Sequence, residues 1–212
     1  MSELRLSYPA CRLADNIEFT PQDVQLIQHT VFAKGLEGPD AVATLLALEH
    51  CRAEKCVEWD EYFIRTLADY LVNHMAPAGS MTRAKADWLR RVLSRGGLIA
   101  GRNEVEALVR IMEMTGAQSH YLAAFALSQV WYAVVEGEGP LASRRKGLWA
   151  VLGMEQLTYI NRVLAALGSA QPFSVDDAEA LFDPALDLAP DGRKSAWCEF
   201  IARVTGPGAA VA

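Results

Sequence analysis

The chain has 212 residues, of which 51% are hydrophobic and 22% charged, and its 20 basic against 26 acidic residues give a formal charge of −6. That composition is globular rather than disordered, and the length suffices to bury a core without disulfides or a structural metal. The acidic balance argues against a nucleic-acid binder with a broad basic surface, because phosphate neutralisation supplies most of such affinity.

Residues 1–19 read as an N-terminal arm. Glu3 and Arg5 interrupt its apolar residues before Pro9, so no signal-peptide core remains and a cytoplasmic protein is expected. In that compartment the four cysteines, Cys11, Cys51, Cys56 and Cys198, are expected as free thiols.

From there apolar residues recur at helical spacing. Val24, Ile27 and Val31 form the first stripe and Gly35 ends it; Trp59, Phe63, Leu67 and Leu71 form another, and Val105, Leu108, Val109 and Met112 a third. Ser80 or Thr82 is placed to cap a helix carrying Trp88, and Ser174 one carrying Leu181. Breakers cluster at 35–39, 77–79, 96–101, 137–140 and 169–172, and no alternating strand pattern stands out. The fold class expected is all-α.

The segment 114–135 contains no Asp, Glu, Lys or Arg. Gly116, Gln118, Ser119 and His120 make its first third polar, and the rest is shorter than the roughly 20 residues a spanning helix needs. It reads as a central buried helix from Tyr121 to Val135, with no membrane insertion.

The two ends of the chain resemble each other. Val24, Ile27, Val31 and Gly35 align with Leu157, Ile160, Leu164 and Gly168, Thr44 to Leu46 with Ala180 to Phe182, and Trp59, Glu61, Tyr62, Phe63 and Arg65 with Trp197, Glu199, Phe200, Ile201 and Arg203. Repeated helix-loop-helix units are therefore expected in one pseudo-twofold helical domain over 20–204, with halves at about 20–135 and 147–204 and a flexible tail at 205–212.

A repeated helix-loop-helix raises the question of calcium, but the loops lack alternating oxygen ligands: Lys34 to Asp40 offers only Glu37 and Asp40. Asp176, Asp177 and Glu179 read instead as helix N-terminal charges. His50, Cys51 and Cys56, with His74 a helix away, are the cluster of soft ligands that a metal or redox sensor would use, although a structural zinc site usually has a second pair. Neither a nucleophile elbow nor a phosphate loop nor a zinc-protease pair occurs, so no enzyme and no cofactor are expected.

Among the five tryptophans, Trp59, Trp197 and Trp88 are expected in the core, and Trp131 and Trp149 partly exposed around the polar 136–146 linker. Trp149 beside Arg144 and Arg145 would suit a protein interface, where both residue types are enriched.

The run from Trp59 to Leu71, then Ala86 to Leu89, then Gly97, Ile99 and Glu104 resembles uncharacterised bacterial all-helical proteins related to the tellurite-resistance TerB fold, over about 20–135. The resemblance implies a helical fold. Arg95 and Gly96 stand where that family carries an acidic residue before the loop glycine, so no site residue is carried over. The function expected is a non-enzymatic module that binds another protein, in a stress or envelope-linked response, with self-association left open and nucleic acid not expected. The alternative is a metal or redox sensor.

Overall fold

The computed structural model describes residues 10, 17–142, 152–169, 172–174, 176–177, 181 and 190–205. Among them the fold is predominantly helical, with one two-stranded hairpin. No helix of the described residues is long and apolar enough to cross a membrane. The chain divides into two compact units, Met1–Ala78 and Gly79–Ala212.

The first unit holds α1 (Pro21–Leu26), which continues as a π-helical turn over Ile27–Val31, then α2 (Pro39–Glu49) and α3 (Val57–Asp69), which continues as a second π-turn over Tyr70–His74. Thr20 starts α1 with a reciprocal cap. Its hydroxyl accepts from Asp23 N–H, the Asp23 carboxylate accepts from Thr20 N–H at 2.9 Å, and Pro21 follows where no backbone donor is needed. Gly35, at φ 77°, takes the left-handed conformation after the first helix. The core centres on Trp59, which is fully buried among Phe19, Tyr62 and Phe63 and donates its indole N–H to Glu49. Before α1 the backbone pairs with Glu54: Phe19 N–H donates to the Glu54 carbonyl at 2.8 Å and Glu54 N–H to the Ile17 carbonyl at 2.9 Å.

The second unit runs α4 (Arg83–Leu93), β1 (Ser94–Arg95), β2 (Leu98–Ile99), α5 (Arg102–Thr115), a 3-10 turn at Gly116–Ser119, α6 (His120–Trp131) with a π-turn at Tyr132–Glu136, α7 (Met154–Ala166) and α8 (Pro190–Thr205). Thr82 caps α4 by accepting from Lys85 N–H, and Ser174 accepts from Asp177 N–H, as their positions in the sequence predicted. The central helix is α6. Leu122, Phe125, Ala126, Leu127 and Val130 are buried on it, and it packs against α4, α5, α7 and α8.

Three expectations are corrected. The breaker at 96–101 holds an antiparallel hairpin, pairing Ser94 with Ile99 and Arg95 with Leu98. Gly96 and Gly97, at φ 64° and 93°, make its turn, a conformation that costs side-chain-bearing residues dearly. Gln129 on α6 fixes the hairpin from below: its carbonyl accepts from Ile99 N–H at 3.0 Å and its amide donates to the Gly97 carbonyl at 2.9 Å. Trp88 lies half-buried rather than in the core, because the buried stripe of α4 runs through Ala86, Leu89 and Leu93 and leaves Trp88 at its edge. Trp131 is buried, since it extends the inward face of α6 by one more turn.

Candidate functional site

Helices α5 and α7 of the second unit run in the same direction. Arg102 at the start of α5 meets Glu155 at the start of α7 at 2.6 Å, and farther along Arg162 meets Glu106 at 2.6 Å and Glu113 at 3.0 Å. Between them opens a cavity of about 290 Å³, lined by Arg102, Glu106, Glu155 and Arg162 together with Leu141, Met154, Thr158 and Tyr159. Gly153 N–H donates to the Gln156 side chain, which starts α7, and the Gln156 amide donates to the Leu141 carbonyl and so brings Leu141 to the cavity wall.

The titratable groups here are engaged with one another. Burial disfavours the charge on Arg162, but the carboxylates of Glu106 and Glu113 more than offset it and hold the guanidinium above its ordinary pKa. Tyr159 is fully enclosed and donates to the Ala126 carbonyl at 3.1 Å; burial, with Glu106 adding to it, raises its phenol well above the ordinary value. Met154 is the apolar exception, 74% exposed at the rim.

The cluster of soft ligands lies in the first unit. His50 is exposed at the C-terminal end of α2, Cys51 is half-buried in the loop that follows, and Cys56 begins α3. Lys55 folds back over this loop: its ammonium stands 3.2 Å from the Cys51 sulfur, donates to the Ala53 carbonyl at 2.8 Å and lies 4.5 Å from the centre of the Phe19 ring. Burial pushes the Cys56 thiol up, with a hydrogen bond from Trp59 N–H opposing it. Among the described residues no three of His, Cys, Asp and Glu come together in an arrangement that could hold a metal ion. His74 pairs with Asp69 at 3.0 Å on an exposed face. Arg144, Arg145 and Trp149 lie outside the described residues.

Sequence reasoning did not single out the α5–α7 cleft. Arg102, Glu106, Arg110 and Glu113 do recur three or four apart on α5, the signature of a charged helix face. The α7 partners of Arg102, Glu106 and Glu113, however, are some fifty residues away, and spacing along one helix says nothing about which other helix will lie beside it.

No family model matches the chain, and neither the curated proteins nor the solved structures contain a match to it.

Proposed function

We propose that the chain is a non-enzymatic, cytoplasmic protein-interaction module whose second unit contacts its partner at the mouth of the α5–α7 cleft. The observation that carries this reading is the composition of that mouth: Met154 stands in solvent beside the Arg102–Glu155 and Arg162–Glu106 pairs. Methionine and arginine are enriched in protein interfaces, where an apolar anchor is ringed by polar groups. The other groups that acid–base chemistry would use are already committed, Arg162 to two carboxylates and Tyr159 to a backbone carbonyl.

The test is affinity capture from native extract with wild type and with Met154→Glu. Loss of the captured protein with the variant supports the module; the same partners at the same yield contradict the cleft as the contact. A contact through Arg144, Arg145 and Trp149 is tested in the same way with Trp149→Ala plus Arg145→Ala.

The pseudo-twofold reading, with halves at about 20–135 and 147–204, draws support from one aligned pair of glycines. Gly35 and Gly168 share a left-handed backbone, at φ 77° and 80°.

The alternative, a sensor built on His50, Cys51 and Cys56, draws on the Lys55 ammonium beside Cys51. A cation already in contact with the sulfur favours the redox form of this reading over the metal form. Metal content and thiol reactivity compared between wild type and Cys51→Ser decide it: bound metal, or reactivity changed beyond the one lost thiol, supports the sensor, and neither sinks it.

A further inference from the structure

We infer that the exposed face of α4 and the hairpin after it form a docking surface for an acidic segment of a partner protein. This rests on the interaction-module reading and adds the chemistry of the partner. Charge is strongly segregated along the chain: residues 79–103 carry Arg83, Lys85, Arg90, Arg91, Arg95 and Arg102 against the single acid Asp87, a net of +5 within a chain of −6, so all other positions together carry −11. Several of these cations have a local task. Lys85 is buried and donates to the Ser80 carbonyl, Arg102 is paired with Glu155, and Arg90 reaches Asp87 at 3.9 Å while lying over the Phe125 ring. Arg83, Arg91 and Arg95 are exposed and make no ion pair among the described residues.

A helix dipole accounts for part of such a pattern, since cations in a last turn are favourable, and Arg90 and Arg91 sit there. It does not account for Arg83. That residue opens α4, at the end where the dipole disfavours a cation, in a first turn that carries no acid. Nor does it account for Arg95, which stands beyond the helix on β1. Arg83 and Arg91 fall on one side of α4, about 12 Å apart along the axis with Asp87 midway between them, and half-buried Trp88 lies beside Arg91. Guanidinium groups pair with carboxylates through two parallel hydrogen bonds, and an adjoining aromatic gives an apolar residue of the segment a place to rest.

The charge distribution also chooses among anions. Outside 79–103 the second unit carries 13 acidic against 8 basic residues, a balance that opposes a long polyanion such as duplex DNA, whereas a short acidic segment meets the arginines around Asp87, which Arg90 reaches at 3.9 Å, because fields fade within about 8 Å at physiological salt.

The experiment is fluorescence anisotropy of a labelled short peptide with glutamates on either side of a leucine, titrated with the full chain. Wild type is expected to bind saturably and more weakly as salt rises. Arg83→Glu plus Arg91→Glu, which alters only exposed side chains, is expected to weaken binding by at least about tenfold, and Arg83→Gln plus Arg91→Gln by less. Absence of saturable binding by wild type, equal binding by a reversal variant with wild-type circular dichroism, or tighter binding of duplex DNA than of the peptide overturns the inference. Failure here with capture still sensitive to Met154→Glu removes the acidic-segment surface and leaves the module reading intact; failure of both removes both.

Discussion

Phe19 meets Trp59 edge-on, with ring centroids 5.0 Å apart and planes at 81°. Both rings are fully buried, and Phe19 is held there by its own backbone pairing to Glu54. The contact, together with the backbone pairing to Glu54, ties residues 17–20 to the start of α3. Phe19→Ala should cost about 3 kcal/mol, and Phe19→Leu less, as read from urea unfolding followed by tryptophan fluorescence. A cost near zero would mean that this segment does not close the core.

Gln129 is the buried polar residue that fixes the hairpin, with its side chain bonded to Ile99 N–H and the Gly97 carbonyl. Gln129→Leu keeps the bulk but strands both backbone groups, at a cost of about 2 kcal/mol. Hydrogen exchange at the Ile99 amide should accelerate by more than exchange at amides elsewhere in α6. Uniform acceleration would show that Gln129 supports the helix and not the hairpin.

The helices were legible in the sequence because their buried stripes are long and regular, and caps such as Thr82 and Ser174 announce themselves by type and position. The hairpin was not legible: strands of two residues are too short to alternate, so Gly96 and Gly97 looked like a simple helix break. Trp88 and Trp131 exchanged environments relative to expectation for a similar reason. A large apolar residue at the edge of a helical stripe looks inward by type, and one next to a polar segment looks outward, although the turn it occupies decides. The cleft depends on α5 lying beside α7, a tertiary fact without a local signature.

Arg162 joins Glu106 and Glu113 across two helices while about a third of its side chain remains exposed. Arg162→Met should destabilise by about 1–2 kcal/mol, because two carboxylates lose their shared cation, and the loss should shrink at high salt. A salt-independent loss would assign the effect to packing of the side chain stem.

Two ionisations set opposite pH limits. Hydrogen bonds from the Ser174 backbone and hydroxyl hold the Asp177 carboxyl below its ordinary value. Its contribution is therefore present above the unfolded carboxylate pKa of about 3.9 and is lost as pH falls through the folded one. Burial raises the Tyr159 phenol, so its contribution is complete below the unfolded tyrosine pKa of about 10 and is lost as pH rises toward the folded one. Ser174→Ala should lower stability by about 1 kcal/mol at neutral pH and flatten the acid limb. Tyr159→Phe should flatten the alkaline limb. Thermal melts across the pH range read both, and unchanged limbs in the variants would refute the assignment.

The central claim, that the chain acts by binding another protein, meets its most direct test in a native mass spectrum of the protein taken from its own cells without chelator. The account predicts a species at the mass of the chain plus that of a second polypeptide. A chain whose only added mass matches a metal ion or a small molecule would contradict it.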